Sequence, residues 1–212
     1  MTEHLRERWA RTLRATTENP GIDPYPYADN LLARWSEPHR SYHTQAHLTA
    51  VLDHVDVLAE HAADAELVRL AAWFHDAVYR PDRSENEERS AALAERALTE
   101  AGLPEPKVAE VARLVRLTIT HDPAEADTDG ETLCDADLAI LAADPETYAA
   151  YTRAVRKEYA FVPDEAFRTG RATILRQLLH LPQLFRTPYG KQHWTAPAQA
   201  NLSTELDLLA PL

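Results

Sequence analysis

Cysteine and long apolar runs are what this sequence most plainly lacks. Cys134 is the only cysteine among the 212 residues, so no intrachain disulfide can form, which agrees with a reducing compartment. The opening residues MTEHLRERW contain no apolar signal core, and no window reaches the apolar length that spans a bilayer. We therefore expect a soluble, cytoplasmic protein in which Cys134 is a small buried filler.

Short alternating apolar runs, which are typical of strands, are also missing. Glycine is scarce at 5 residues, and the 14 prolines fall mostly between periodic segments, where they punctuate helices. This pattern predicts an all-α fold. With 45% hydrophobic content the chain can bury one sizeable core, so we expect a single domain over residues 1–212, with its core at about 25–206 and an N-terminal helix at about 3–16.

Positive charge is in short supply over the chain as a whole. The formal net charge is -12, which argues against nucleic acids and anionic membranes as main partners. Between Ala150 and Lys191, however, eight basic residues stand against three acidic ones. That local excess either faces an anionic substrate or forms a solvated helix surface.

The segment from Leu67 to Tyr79, LVRLAAWFHDAVY, is an almost uninterrupted apolar helix that contains the adjacent pair His75 and Asp76. Apolar residues occupy every face, so the helix is predicted to be buried nearly all round. A carboxylate in such surroundings takes up a proton or finds a cation, and imidazole is the commonest metal ligand in proteins. The pair is therefore predicted to be half of a metal site.

A second helix, predicted to begin near His43, carries His43 and His47 on its inward face. Residues four apart lie on neighbouring turns of one face, so both can serve a single site. His54 and His61 continue the series at heptad spacing, but seven residues advance a helix by roughly 10 Å, too far to share an ion. We expect these two to be half-exposed.

Other stretches contribute further candidates. Glu87 follows Ser84 at the spacing of a capping box, which competes with a role at a site. His121 closes a helix predicted from about residue 105, and it either caps that helix or joins the site. In LCDADLAILAA, Asp135 and Asp137 face different ways on a helix, so only one is expected to meet a given ion. The other would cap a helix or hold a ligand in place.

Together the inward polar residues combine imidazole and carboxylate groups. Such a set suits Zn, Mn, Fe, Co or Mg and leaves coordination positions open for water. The set consists of His43, His47, His75, Asp76 and Asp137, with His121 as a further candidate.

In this order, His47, His75-Asp76 and Asp137 resemble the H…HD…D signature of the HD superfamily of metal-dependent phosphohydrolases. YHTQAH is similar to the YHNxxH segment of cyclic-nucleotide phosphodiesterases, with Thr44 in place of the Asn. FHDAVY, NEERSA, DADLAIL, VRKEY and GRATIL resemble the small bacterial predicted metal-dependent HD superfamily phosphohydrolases. The resemblance runs from about residue 25 to 205 and implies an HD-domain helical bundle.

The resemblance also implies a chemistry. Metal ligation would fall to His47, His75, Asp76 and Asp137, around one or two divalent ions of Mn, Co, Mg, Zn or Fe. A metal-activated water would cleave a small anionic phosphate mono- or diester, which we expect to be nucleotide-like. Catalytic roles would fall to Asp76 and to His43, the latter as leaving-group acid or phosphate contact.

Residues outside this central set would complete the site. Candidates for a second metal or for substrate are His121, Glu87 and Asp135. Candidates for substrate phosphate contacts, taken from the basic stretch and from the VRKEY and GR motifs, are Arg156, Lys157 and Arg171.

Two other functions compete with hydrolysis. Some HD-fold proteins hold two irons and activate oxygen, with a pattern resembling H…HD…H…H…D. Here only His121 lies between the His-Asp pair and Asp137, so that function needs Glu87 as a replacement ligand. The second alternative function is a catalytically silent sensor that binds a nucleotide.

Overall fold

A computed structural model describes residues 2–210, and every regular element among them is helical. The all-α prediction is thus confirmed. In chain order the elements are α1 (Thr2–Thr16), α2 (Tyr25–Arg34), α3 (Gln45–Leu58), α4 (Ala65–Phe74), α5 (Asn86–Glu100), α6 (Glu105–Leu117), α7 (Thr128–Leu138), a short 3-10 helix (Ala139–Ala142), α8 (Pro145–Glu158), α9 (Asp164–His180), α10 (Pro188–His193) and α11 (Thr195–Leu209). Over residues 2–210, none of these helices combines the length and apolar character needed to cross a membrane.

The buried side chains form two hydrophobic clusters. The larger one draws on α1 to α7, and at its centre the rings of Trp9 and Trp73 meet edge-on with centroids 5.4 Å apart. The smaller one joins the 3-10 helix to α8, α9 and α11 around Leu175 and Phe185. Trp194 packs against both clusters and so connects them.

Helix α4 ends earlier than the sequence predicts. It stops at Phe74, so His75 is its C-terminal cap and Asp76 lies in the turn that follows. The buried guanidinium of Arg40 donates hydrogen bonds to the carbonyl oxygens of Asp76 (2.9 Å) and Ala77 (3.4 Å). Because these carbonyls are bound by Arg40, the prediction that the helix continues beyond the His-Asp pair is wrong.

The chain ahead of helix α3 is bound by α8. The backbone N–H groups of Ser41, Tyr42 and His43 all donate to one carboxylate oxygen of Glu158, at 2.7, 2.7 and 3.0 Å. Thr44 then caps α3 with its hydroxyl oxygen. The helix thus begins two residues after His43, near the predicted start, and His43 itself lies in the preceding turn.

Helix α6 also ends before the predicted residue. It stops at Leu117, and His121 follows in a turn with a backbone φ of +50°. The N–H of His121 donates to the carbonyl of Leu117 at 2.9 Å, which closes the helix end. A non-glycine residue is uncommon in this left-handed region, although histidine tolerates it better than most. His121 thus caps α6 through its backbone while its side chain remains available.

The packing of α3, α4 and α7 positions the candidate site. Helix α3 contacts both α4 and α7, and α4 also packs on α6. Polar residues on the inward side of these helices therefore meet where α3 begins and α4 ends.

Candidate metal centre

His47, His75 and Asp137 bring three donor atoms to one point. Nε2 of His47 lies 3.0 Å from Oδ1 of Asp137 and 3.4 Å from Nε2 of His75, and Nε2 of His75 lies 3.5 Å from the same Oδ1. Donor atoms that share one ion at bonds of about 2.1 Å are roughly 3.0–3.5 Å apart. The observed spacing therefore fits a single metal ion, and these three side chains can hold one.

Asp76 lies at the edge of this cluster. Its Oδ2 is 3.4 Å from Nε2 of His75 and 3.8 Å from Nε2 of His43. The side chain is largely buried. Asp76 therefore lies next to the donor group but is not one of its three members, so the predicted four-ligand set is found only in part.

The tautomer of His75 suits metal binding. Its Nδ1 donates to the carbonyl oxygen of Ala72 at 2.7 Å, and the residue is only 1% exposed. Because Nδ1 keeps its proton for the Ala72 carbonyl, Nε2 is the nitrogen that can give up its proton and bind an ion among the other donors.

The charges of the cluster favour a cation. Burial lowers the pKa of His47, which favours its neutral imidazole. Burial also acts to lower the pKa of His75, but the carboxylates of Asp76 and Asp137 outweigh it and raise the pKa to about 9. Burial acts to raise the pKa of Asp137, yet contacts with His75 and His121 hold it well below its usual range. The carboxylates thus attract positive charge, and both the donor set and its spacing fit a divalent ion.

His121 extends the cluster on its far side. Its Nε2 lies 2.8 Å from Oδ2 of Asp137, the oxygen that does not face His47. Asp137 therefore bridges His47 and His121, and His121 lies next to the three-residue donor group without being one of its members.

Glu158, which the sequence analysis missed, holds His43 in place. Its side chain is fully buried, and its Oε2 accepts hydrogen bonds from Nδ1 of His43 (2.7 Å) and from the hydroxyl of Tyr79 (2.9 Å). Burial acts to raise the pKa of Glu158, but the His43 contact and the backbone N–H groups of Ser41 and Tyr42 outweigh it and hold the pKa at about 2. The ionised carboxylate therefore orients His43 so that Nε2 faces Asp76.

The sequence does contain a signal for Glu158. Tyr148, Tyr151, Val155 and Glu158 follow each other at spacings of three and four, so they share one face of α8. An acidic residue on an otherwise apolar face needs a buried partner. That argument identifies Glu158 as a candidate without identifying its partners.

The assignment of Asp135 to a second metal or to substrate is corrected by the structure. Its carboxylate accepts hydrogen bonds from the N–H groups of Arg186 (2.9 Å) and Thr187 (2.8 Å) and from the Thr187 hydroxyl (2.7 Å). A Cβ on Gly190 would lie 2.6 Å from this carboxylate, so the turn is built closely around it. Asp135 stabilises the start of α10 and does not join the metal centre.

Two of the three predicted phosphate contacts are also corrected. Arg156 pairs with Asp164 at 2.6 Å and binds carbonyl oxygens of the loop after α8. Arg171 forms a two-bond pair with Glu205 at 2.7 and 3.0 Å. Both guanidinium groups are thus committed to structural contacts, whereas Lys157 is exposed on α8.

The remaining candidates lie outside the donor cluster. Glu87 is half-buried near the start of α5, whose N-cap is Glu85 without a side-chain hydrogen bond, so the capping-box prediction is wrong. Glu87 does not belong to the three-residue donor group found among residues 2–210. His54 and His61 are half-exposed and Cys134 is buried, as predicted.

A cavity of about 550 Å³ opens beside the cluster. His47 and Asp137 form part of its wall, together with Tyr42, Tyr151 and Trp194. His47 and Asp137 are therefore accessible to a small molecule that enters this cavity.

Comparison of the chain with family models, curated proteins and solved structures gives no significant match. The HD-superfamily resemblance therefore rests on the residues themselves and stays a prediction. The all-helical fold and the cluster of His47, His75 and Asp137 stand on the structure.

Proposed function

We propose that this protein is a metal-dependent phosphohydrolase that cleaves a phosphate ester. The observation that supports it most is the convergence of His47, His75 and Asp137 on one point, with Asp76 between His75 and the imidazole of His43. Their order along the chain also resembles the HD-superfamily signature. An open cavity at the same place provides room for a substrate.

A divalent ion held by these four ligands would polarise a phosphoryl oxygen and lower the pKa of a water from about 15.7 towards 7. Side chains of the protein would accept and donate the protons. As the new P–O bond forms, Asp76 would accept the proton of the attacking water. As the ester P–O bond breaks, Nε2 of His43 would protonate the departing alcohol oxygen, while Glu158 stabilises the charged ring through Nδ1.

The first experiment is a screen of phosphate esters with Mn, Co, Mg and Zn, repeated with His75→Ala and Asp76→Ala. Each substitution removes one donor of the cluster, so we expect loss of bound metal and at least a roughly hundredfold loss of hydrolysis. Circular dichroism should show that the helices persist.

His4→Ala is the matched control, because His4 is an exposed histidine on α1. It should keep metal content and hydrolysis. Full activity and full metal content in either His75→Ala or Asp76→Ala would contradict the proposed site.

A di-iron oxygenase is the second candidate, favoured by the position of His121. Its Nε2 lies 2.8 Å from Oδ2 of Asp137, so that carboxylate has a histidine on each side. Metal analysis, ultraviolet-visible spectra of aerobically purified protein and oxygen consumption distinguish the two functions. A di-iron spectrum without phosphatase activity would replace the hydrolase proposal.

A further inference from the structure

The cavity beside the metal centre is built from small and apolar side chains. Nineteen residues line it, and eight of them are alanines contributed by α3, α7, α8 and the segment between α7 and α8. Its volume of about 550 Å³ lies within the range of small-molecule sites, roughly 300–1,000 Å³. Since alanines leave this space open, it accommodates an organic group of considerable size.

The charge of the lining restricts what can enter. None of the nineteen lining residues is lysine or arginine, and the carboxylate among them is Asp137. Arg156 and Arg171, which would be the nearest sequence candidates for phosphate binding, are bound to Asp164 and Glu205. A nucleoside di- or triphosphate would therefore place its additional phosphates without a cationic side chain to neutralise them.

Aromatic rings give the cavity a surface for flat apolar groups. The rings of Tyr42 and Tyr151 meet with centroids 4.6 Å apart, and Tyr42 also lies 4.7 Å from the ring of His47. Trp194 lines the cavity as well and is only half-buried. Such rings pack favourably against another aromatic or branched apolar group. The aromatic surface begins at the metal ligand His47 itself.

From these features we infer that the substrate is a phosphate monoester of an uncharged, largely apolar alcohol. The phosphate meets the metal centre, and the organic group fills the alanine-lined cavity. The phosphate part of this substrate rests on the proposed hydrolase function, whereas its apolar part is inferred from the cavity alone. It departs from the nucleotide-like substrate that the sequence suggests.

The test compares 2-(1-naphthyl)ethyl phosphate with glycerol phosphate, AMP and ATP, so that the three monoesters share an alkyl leaving group. We expect kcat/KM for the naphthylethyl ester to exceed that for each of the other three at least tenfold, which corresponds to about 1.4 kcal/mol. Hydrolysis of glycerol phosphate, AMP or ATP as efficiently as the naphthylethyl ester would overturn the inference and leave the hydrolase proposal standing.

Failure of the hydrolase proposal is recognised separately. If no ester is hydrolysed with any metal, calorimetry with 1-naphthol, which carries no phosphate, still tests whether the cavity binds an apolar group. Saturable binding of 1-naphthol that Trp194→Ala weakens at least fivefold supports the cavity assignment. Absence of binding overturns it.

Substitutions in the wall sharpen the test. Ala150 is an exposed residue of α8 that lines the cavity, so Ala150→Leu fills space without disturbing the core. We expect the kcat/KM ratio of 2-(1-naphthyl)ethyl phosphate to glycerol phosphate to fall at least fivefold. Ala109→Leu, at an exposed alanine of α6 outside the lining, is the matched control and should leave the ratio unchanged. An unchanged ratio in Ala150→Leu would contradict the assignment.

Discussion

Glu158→Gln tests the role of Glu158 in joining α8 to the chain ahead of α3. The carboxylate accepts five hydrogen bonds, three from the N–H groups of residues 41–43, one from Nδ1 of His43 and one from the hydroxyl of Tyr79. Glutamine has nearly the same shape but only one acceptor oxygen. If that oxygen keeps the backbone N–H groups, its amide group meets His43 and Tyr79, and two donors lose their acceptor.

The size of the effect follows from the pKa of Glu158. Binding in the folded protein lowers that pKa from 4.5 to about 2, because the contacts with His43 and the backbone outweigh burial. A difference of about 2.5 pH units corresponds to roughly 3 kcal/mol of folding free energy. Two lost hydrogen bonds to a charged group, at about 1.5–3 kcal/mol each, give the same order. We expect Glu158→Gln to lower the free energy of unfolding by about 3 kcal/mol near neutral pH.

The pH dependence has a definite sign. Because the folded pKa is depressed, the stabilisation is complete above the unfolded pKa and is lost as the pH falls through the folded pKa. The difference between wild type and variant should therefore stay near its neutral value down to about pH 5 and fall to roughly half at about pH 3.

Urea denaturation followed by far-ultraviolet circular dichroism measures both quantities. Glu60→Gln is the control, since Glu60 is exposed just after α3. Its stability should stay within about 0.5 kcal/mol of wild type. A Glu158→Gln variant within the same limit at neutral pH, or a difference that grows on acidification, would show that the ionised Glu158 carboxylate does not stabilise the fold in this way.

Three further substitutions test the assignment of the acidic and basic residues. Asp137→Asn removes a carboxylate ligand of the proposed metal centre. Mn²⁺ at a hundred times its dissociation constant should therefore stabilise the wild type by about 2.7 kcal/mol but not the variant. Equal rises in Tm for the two proteins would contradict the metal centre. Asp135→Asn weakens the hydrogen bonds to Arg186 and Thr187, so urea denaturation should show a free energy of unfolding lower by about 2 kcal/mol. Calorimetry should show unchanged metal affinity. Loss of metal binding would indicate that Asp135 is a metal ligand. Arg171→Met leaves the carboxylate of Glu205 without its ion-pair partner, so the free energy of unfolding should fall by about 3 kcal/mol while KM stays unchanged. A raised KM at full stability would instead support a phosphate contact for Arg171.

Features that depend on local spacing can be predicted from the amino-acid sequence alone. The absence of alternating runs and the positions of the prolines predict an all-helical chain, and α1 agrees closely with its predicted bounds. Apolar residues on every face of α4 predict its burial, which follows from the need to remove that surface from water. His47 and His75 were recognised because they are polar residues at inward positions of such helices.

Which polar groups meet depends on how the helices pack in three dimensions. Asp135 and Asp137 lie on one helix, but Asp135 binds Arg186 and Thr187 whereas Asp137 faces the histidines. The observed helix ends differ from the predicted ones at positions where distant side chains bind the backbone. Arg40 binds the carbonyl of Asp76 after α4, and Glu158 binds the N–H of Tyr42 before α3. The partner of Glu158 lies 115 residues away, at His43. Helical periodicity determines which face a residue occupies, but contacts between distant segments depend on how the helices pack together.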